Sequence, residues 1–524
     1  VNAKLVGLMT KSEVSQALQR IARGTGIVFI GTVISMFFGF LNRAIIARYF
    51  STSEYGTFNL ALTVLSVVLV IVTLGFQNSL PREIAFYKKR KPSRIKELIS
   101  TAMIIVTLNS VVWMTILILG AEGISRIFNE DGLNLALKIM AFTLPFSALT
   151  TTVISVSHGF GRVREKVYFQ NIAPPVAFLI LILVGILMKF PFTYVFFAYV
   201  LSQTVTFLAL SIDVRKVKLF EFRFLISLKI AKDLINFSIP LMLTGILGFI
   251  MNWTDTLMLG YYISSEVVGI YSAATPLARL ITIVLASTST IYTPIVTTLY
   301  AEEKTEAMRR VYQILTKWTF LITLPLFSAM LLFPETIISS LFGNRYVPAA
   351  LALQILSLGF MFHTFLGLNG LSLIVIGDTN ANLISNIFAA VFNIVLNIIL
   401  IPVYGLDGAA LATTISYFIV NILKSYWLYK KTGIHPFSRN YMKSLIISIV
   451  LLGLIKILYP KTGDILHVFF TLLLFMGSYF ILILLSRSVD IEDIELMKTI
   501  EKKFHIPFLG KLLRLIERFV SFTN

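Results

Sequence analysis

The sequence has no cysteine and few charged residues. Without cysteine, the chain can form neither disulfides nor thiolate metal sites, and a cysteine nucleophile is excluded. Charged residues make up only 14% of the 524 residues, whereas an average soluble domain carries about 25%. Hydrophobic residues reach 57%. This composition argues against a chain of soluble domains and favours a membrane protein.

Enzyme signatures are also missing. The sequence has no Asp-rich magnesium motif and no glycine-rich phosphate loop. Adjacent carboxylates occur at Glu302-Glu303 and Glu492-Asp493, in predicted loops where they read as solvated charge. The five histidines show no metal-ligand spacing: His158, His363, His435, His467 and His505. We therefore expect no enzyme, no cofactor and no metal site.

Long apolar stretches fill most of the chain. A helix needs about 20 apolar residues to cross the hydrocarbon core, and about fourteen stretches meet that length. The fold class predicted is all-α, a polytopic membrane protein. The approximate spans are 24–49, 57–80, 98–120, 133–157, 168–188, 191–212, 237–262, 268–299, 312–333, 348–376, 381–401, 408–429, 443–460 and 465–486.

The positive charge is distributed as a topology signal. Lys and Arg number 45 against 26 Asp and Glu, a formal charge of +19. Most of the basic residues fall in alternate short loops, as they do on the cytoplasmic side of membrane proteins. This pattern predicts a multi-pass protein of the cell membrane with both termini cytoplasmic. It also argues against nucleic acid as a partner.

The chain repeats itself. Tyr49–Gly56 closes the first span and opens the second, and the similar Tyr262–Gly269 does the same for the seventh and eighth. One offset also relates Pro81 to Pro294. Chance matching of small and aromatic residues is the alternative. A true repeat predicts two six-helix lobes in the same orientation, a design in which transporters hold substrate between the halves.

The predicted organisation has five parts. Its boundaries are a cytoplasmic segment at 1–23, lobes at 24–232 and 233–432, two further transmembrane helices at 433–487, and a tail at 488–524. The tail pattern predicts a basic amphipathic helix on the inner leaflet. A helix that binds a partner protein is the alternative.

Polar and charged residues inside the predicted spans are the candidate functional groups, because such groups are costly in hydrocarbon and usually face a cavity or a partner. The first span holds Asn42, Arg43 and Arg48, and the seventh holds Asn252 and Asp255. The eighth holds Arg279. Lys424 and His363 also lie in spans, but we interpret them as a snorkelling lysine and a packing histidine.

Arginine suits phosphate because its planar guanidinium donates two parallel hydrogen bonds and keeps its charge. We therefore predict that Arg43, Arg279, Arg48 and Asn42 bind an anionic substrate. Asp255 and Asn252 are predicted to orient Arg279 or to carry a coupling ion. Two alternatives remain: an Asp255–Arg279 pair that only joins two helices, and an Arg48 that snorkels at the interface.

Several motifs resemble a known family. They are DTLMLGYY at Asp255–Tyr262, VGIYSAA at Val268–Ala274, EYGTF at Glu54–Phe58, LGF at Leu74–Phe76, REIA at Arg82–Ala85, NIVLN at Asn393–Asn397, IPVYG at Ile401–Gly405 and GAA at Gly408–Ala410. In order and spacing they resemble the polysaccharide-biosynthesis flippases of the multidrug/oligosaccharidyl-lipid/polysaccharide exporter superfamily. The resemblance covers nearly the whole chain.

The resemblance implies two six-helix lobes around a central cavity, with two added C-terminal helices. It implies a flippase for a polyprenyl-(pyro)phosphate-linked oligosaccharide that works by alternating access. Expected partners are this substrate and membrane lipids, with polysaccharide biosynthesis enzymes as further candidates, and we expect a monomer. The alternatives are a multidrug/cation antiporter of the same superfamily and a membrane glycan polymerase or ligase.

Overall fold

The computed structural model describes residues 31–217, 226–458 and 465–490, and within these ranges it contains helices and no strand. The predicted N-terminal segment at 1–23 and nearly all of the predicted amphipathic tail lie outside the described residues. The all-α class of the prediction is confirmed. Between its end turns, a helix pairs its backbone N–H and C=O groups internally, which is what a chain in hydrocarbon requires.

Ten helices precede residue 280. They are α1 (described over 31–49), α2 (Thr52–Val72), α3 (Phe76–Arg90), α4 (Arg94–Ile127), α5 (Asp131–Met140), α6 (Thr143–Gly159), α7 (Arg164–Leu187), α8 (Thr193–Lys216), α9 (Leu228–Tyr262) and α10 (Ser265–Arg279).

Eight helices follow in the described part of the chain. They are α11 (Ile283–Ala301), α12 (Thr305–Leu332), α13 (Pro334–Leu341), α14 (Ala350–Leu366), α15 (Asn369–Val375), α16 (Thr379–Thr432), α17 (Arg439–Leu458) and α18 (Ile465–Leu485).

The predicted number of about fourteen spans is not confirmed. Within the described residues, 10 helices are long and apolar enough to cross a membrane, or up to 12 if each of two bent pairs is one span. One reason for the difference is that the first predicted span begins outside the described residues. The other is that the eleventh and twelfth predicted spans belong to one helix, α16.

Helix α16 has 54 residues. At a rise of 1.5 Å per residue it would be about 80 Å long, far more than the roughly 30 Å of hydrocarbon. Its continuity is broken at Gly405, which has φ 59° and ψ −131°. This conformation favours glycine because a side chain would clash there. The break lies between the predicted spans 381–401 and 408–429, so α16 is best understood as two crossings joined at Gly405.

The described chain divides into two compact units. Unit 1 comprises residues 1–273 and 394–409, and unit 2 comprises residues 274–393 and 410–524. The predicted lobe boundary at 232/233 lies inside unit 1, because α9 packs against α2, α3 and α4. The start of α10 packs against the start of α2. The division into lobes at 24–232 and 233–432 stays a prediction.

In unit 1, the two repeat motifs pack against each other. Ser51 caps α2 and forms a reciprocal capping box with Glu54. A Cβ at Gly56 would overlap the carbonyl oxygen of Ser265, and a Cβ at Gly269 would overlap the carbonyl oxygen of Thr52. The glycine of each repeat therefore allows the backbones at the starts of α2 and α10 to touch.

Polar side chains reinforce this contact. Thr52 Oγ1 donates to Glu266 Oε1 at 3.2 Å, and the hydroxyls of Ser53 and Ser265 lie 3.1 Å apart. Ser265 also donates to Glu130, which precedes α5. We call the α2 and α10 starts, residues 52–56 and 265–269, the repeat contact.

In unit 2, a buried ion pair fixes the end of α18 to α12. Lys317 is buried in α12 and pairs with Asp490. Arg310 Nη2 lies 3.0 Å from Asp490 Oδ1, and Asn440 Nδ2 donates to the same oxygen at 2.9 Å. Burial alone raises the pKa of Asp490, but the hydrogen bonds and charges of these three side chains outweigh burial and lower that pKa.

This cluster predicts an acid-sensitive contribution to stability. Because the pKa of Asp490 is lower in the folded than in the unfolded protein, the stabilisation is full above about pH 4 and is lost as pH falls further. We expect Asp490→Asn to cost about 3–5 kcal/mol at pH 7, since it leaves a buried ammonium without its carboxylate. Thermal unfolding in detergent measures the effect.

Asp378→Asn is the matched control, because Asp378 pairs with the half-exposed Lys431 at 2.6 Å and surface pairs contribute little. The control keeps the hydrogen bond to Ala381 N that caps α16. Equal melting temperatures for wild type and Asp490→Asn at pH 7 would contradict the assignment.

Candidate functional site

Arg43 lies in α1, in unit 1, with its side chain half-buried. Its positive charge interacts electrostatically with the hydroxyls of Tyr55 in α2 and Tyr199 in α8. Among the described residues, no hydrogen bond or ion pair engages the Arg43 guanidinium. A charged group in a membrane span is costly unless a partner or water meets it. This arginine therefore has donors available for an anion.

Tyr199 is held by an aromatic cluster, and Tyr55 by burial. Tyr199 lies 5.4 Å from Phe178 and 6.1 Å from Phe58 between ring centroids, both edge-to-face. Phe58 and Phe178 stack at 5.8 Å. Tyr55 is fully buried, and its hydroxyl points towards the carbonyl oxygen of Ser272 at 3.4 Å. Such interlocked rings restrict movement, so the surroundings of Arg43 are preorganised.

Asn42 has a packing contact. It is buried, and its Nδ2 donates to the carbonyl oxygen of Pro175 at 2.8 Å. A π-helical turn at Val167–Ile172 precedes this point of α7, where two consecutive prolines lack the N–H groups that a regular helix needs. Asn42 thus fixes α1 to the irregular part of α7. Its predicted contact with substrate stays a prediction.

Asp255 is buried in α9, and its carboxylate accepts two hydrogen bonds within unit 1. Tyr271 Oη donates to Oδ2 at 2.8 Å, and Asn397 Nδ2 donates to Oδ1 at 2.9 Å. These partners come from α10 and from the unit 1 part of α16, so one carboxylate joins three helices. Two donors stabilise the ionised carboxylate in an otherwise apolar setting.

The other predicted residues have different surroundings. Arg279 is the last residue of α10 and is partly buried in unit 2, so its predicted pairing with Asp255 of unit 1 stays a prediction. Arg48 is exposed near the end of α1. Asn252 donates to the carbonyl oxygen of Gly248, one turn earlier in α9, at 2.6 Å.

Sequence reasoning missed four residues of this site: Tyr55, Tyr199, Tyr271 and Asn397. A signal existed for Asn397, because Asn393 and Asn397 are polar residues one helical turn apart in an apolar run. Tyr55 and Tyr271 lie in the two repeat-bearing regions. For Tyr199, one of many aromatic residues in α8, the sequence carries no distinguishing signal.

The sequence matches two known families. The family described as polysaccharide biosynthesis protein matches residues 21–300, which is more than half of the chain. The family described as MatE matches residues 240–399.

Two curated relatives show where the similarity extends. An uncharacterized membrane protein of Methanocaldococcus jannaschii is 25% identical over 483 residues, 87% of this chain and 93% of that protein. A probable low-salt glycan biosynthesis flippase, Agl15 of Haloferax volcanii, is 24% identical over 202 residues, 38% of this chain and 43% of Agl15.

A solved structure shares the fold. The lipid II flippase MurJ, in an inward closed conformation, superposes with a TM-score of 0.71 at 16% sequence identity. The match covers 87% of this chain and 98% of the MurJ chain. At this identity the likeness establishes the fold alone. The chain therefore shares the MurJ fold and is a multi-pass membrane protein, while the division into two six-helix lobes stays a prediction.

Proposed function

Since this chain belongs to the polysaccharide biosynthesis protein family, we propose that it is a flippase. Its substrate is a polyprenyl-(pyro)phosphate-linked oligosaccharide, which it moves across the cytoplasmic membrane by alternating access. The observation that carries this proposal is Arg43, a half-buried arginine with no hydrogen-bond or ion-pair partner among the described residues. The description of Agl15 as a probable glycan biosynthesis flippase supports it.

Arg43 binds the phosphate of the carrier lipid. Its guanidinium presents two parallel N–H groups, which match two oxygens of a phosphate. The polyprenyl tail stays in the bilayer, while the headgroup and glycan cross through a hydrated cavity. Arg279, Arg48 and Asn42 are further contacts for the headgroup. No covalent bond of the substrate is made or broken in this scheme, so the protein acts as a transporter and not as an enzyme.

Both termini face the cytoplasm in this proposal, and the lobes 24–232 and 233–432 rock against each other. The basic loops support this orientation through the positive-inside rule. Because the chain has no natural cysteine, a single cysteine at the exposed Lys91, between α3 and α4, reports its own sidedness. Labelling of that cysteine by an impermeant reagent from outside the cell would contradict the proposed orientation.

Asp255 couples transport to a cation. Its carboxylate is buried and joins α9, α10 and α16 through hydrogen bonds from Tyr271 and Asn397. Binding of a cation to this carboxylate changes the charge where three helices meet. The equilibrium between the two conformations of the transport cycle therefore shifts. Asn252, one turn earlier in α9, helps to orient this part of the helix.

A reconstituted flipping assay tests the proposal. Purified protein in liposomes is expected to expose a fluorescent polyprenyl-pyrophosphate-linked oligosaccharide to an impermeant quencher, and protein-free liposomes should not. An inward cation gradient should accelerate transport by wild type, whereas Asp255→Asn should show the same rate with and without the gradient. A complete lack of transport by folded wild-type protein would reject the flippase, and a retained gradient response in Asp255→Asn would reject the coupling role.

A cation antiporter is the second candidate, because the MatE family matches residues 240–399, which include Asp255. An antiporter would move cationic dyes through a cavity with exposed acidic groups. The carboxylate of Asp255 is instead buried and accepts two hydrogen bonds, while Arg43 offers donors. Dye transport by the same liposomes, without transport of the lipid-linked oligosaccharide, would favour the antiporter.

A further inference from the structure

A cavity of about 420 Å³ lies within unit 2. It forms where α14 ends and α15 begins, because Gly367 has φ 73° and turns the chain between them. Both halves of α16 supply further parts of its wall. The polar side chains that line the cavity are Thr282, Ser289, His363, Asn369, Asn382, Asn386, Tyr417 and Lys424.

Lys424 lines this cavity, although its position near a span end predicted that it snorkels. A Cβ on Gly370 would lie 3.4 Å from Lys424 Nζ and 3.1 Å from Asn382 Oδ1, so the glycine leaves room for the ammonium. The lysines that do reach the surface are those of the last turn of α16, and Lys430 is exposed and lies over the rings of Tyr426 and Trp427.

Within the described chain, no carboxylate pairs with the Lys424 ammonium. No Asp or Glu lines the cavity. Among the described residues, no hydrogen bond or ion pair engages Lys424. Asn382 Oδ1 is buried and likewise has no hydrogen-bond partner within the described chain. A partly buried cation beside an amide oxygen that has no partner in the described chain is costly in an apolar bundle. A ligand that supplies a negative charge and a hydrogen-bond donor removes this cost.

A hydrogen-bond network orients His363 and Asn369, two of the lining residues. Asn421 Nδ2 donates to the carbonyl oxygen of Tyr417 at 2.7 Å, which leaves Asn421 Oδ1 as an acceptor. His363 Nδ1 lies 2.8 Å from Asn421 Oδ1 and donates to it. The ring is thus fixed with Nε2 available to a ligand. Asn369 Nδ2 also donates to Asn421 Oδ1 at 3.2 Å and to Ser425 Oγ at 3.1 Å, so Asn369 is held in place.

The lining matches the chemistry of an acidic sugar. Amide side chains both donate to and accept from hydroxyls, and the ring of Tyr417 offers an apolar face to the C–H groups of a pyranose. One ammonium suffices for one carboxylate. A volume of about 420 Å³ is in the range of small-molecule sites, roughly 300–1,000 Å³, and exceeds what a bare phosphate fills.

We propose that this cavity binds an acidic sugar residue of the transported glycan, with Lys424 paired to the sugar carboxylate. Asn382 and Asn386 contact its hydroxyls, and His363 Nε2 faces the bound sugar. The proposal rests on the flippase function and adds that the preferred glycan carries a uronic acid. The phosphate of the carrier lipid is assigned to Arg43, in unit 1.

Two oligosaccharides that differ only in one residue, glucuronic acid or glucose, test the proposal. Calorimetry on detergent-purified protein with the free sugars measures binding without transport. Wild type is expected to bind the acidic sugar about tenfold more tightly, the effect of one charge-assisted hydrogen-bonded pair. Lys424→Met should remove this preference without changing affinity for the neutral sugar, and Lys424→Arg should keep most of it.

Lys430→Met is the matched control, because Lys430 lies on the same helix outside the cavity, and it should keep the full preference. Equal affinities of wild type for the two sugars would overturn the proposal. A Lys424→Met variant that binds both sugars more weakly by the same factor would also overturn it, since the lysine would then stabilise the fold. Weaker binding of sugar-free polyprenyl phosphate by that variant would overturn it too, since the lysine would then bind the phosphate. The flippase function itself is tested separately, by measuring transport of the neutral lipid-linked sugar in liposomes.

Discussion

Arg43→Gln is expected to reduce flipping of the lipid-linked oligosaccharide by about a hundredfold or more. A bidentate arginine–phosphate contact contains two charge-assisted hydrogen bonds, and each contributes about 1.5–3 kcal/mol. Every 1.4 kcal/mol is about tenfold. Arg43→Lys should retain a small part of the activity, because an ammonium carries the charge but not the planar fork.

The matched control is Arg126→Gln, which removes an exposed arginine that pairs with Glu122 at the end of α4. It should leave transport unchanged. Melting temperatures separate binding from folding: removal of a half-buried charge that has no partner among the described residues should not destabilise Arg43→Gln. A lower melting temperature that accounts for the lost transport, or full transport by the variant, would reject the assigned role.

Much of the helical architecture could be predicted from the sequence. Apolar stretches of sufficient length predict spans, and the predicted spans from 57–80 onward overlap the helices described. The junction between 401 and 408 was also predicted, and Gly405 makes the turn there. These features are local, because a helix in hydrocarbon must satisfy its own backbone and a break needs a residue that tolerates positive φ.

The direction of side chains could not be predicted. The sequence sets how deep Lys424 lies along its helix, but a lysine at that depth can extend to the surface or into the bundle. The choice depends on Gly370, on a neighbouring segment, which leaves space beside the ammonium. Asn42 shows the same limit, since its acceptor is a carbonyl oxygen of α7, far away in sequence.

Contacts between residues far apart in the sequence could not be predicted either. Lys317 is a charged residue of α12, and from the sequence alone a lysine at this position is expected to be solvated. Its pairing with Asp490 depends on how α17 and α18 pack against α12. Likewise, the sequence predicts Arg43 and Asp255 as site residues because they are charged residues within spans, but the tyrosines around them are visible only in the folded chain.

The repeat contact carries the second large prediction. Tyr49–Gly56 and Tyr262–Gly269 were recognised as similar sequences, and in unit 1 the starts of the helices they open touch. Gly56 and Gly269 permit that approach because neither has a Cβ. The two segments belong to different predicted lobes. If the lobes rock during transport, the helix starts that meet in the repeat contact must separate in every cycle.

Ser53→Cys combined with Ser265→Cys should therefore block transport under oxidising conditions. The two hydroxyls lie 3.1 Å apart, and a modest shift brings two sulfurs to the disulfide length of about 2.05 Å. Because the sequence contains no other cysteine, the introduced pair has no competing partner. Oxidised protein should show less than about a tenth of the flipping rate, as expected when a required motion is held closed, and a reductant should restore transport.

Thr288→Cys combined with Thr319→Cys is the matched control. Their hydroxyls also lie 3.1 Å apart, but both belong to unit 2 and to the predicted lobe 233–432. A disulfide there joins α11 to α12 inside one moving body, so transport should survive oxidation. Full transport by the cross-linked Ser53→Cys/Ser265→Cys protein would mean that the repeat contact stays closed throughout the cycle. Alternating access would then have to proceed by motion elsewhere in the chain.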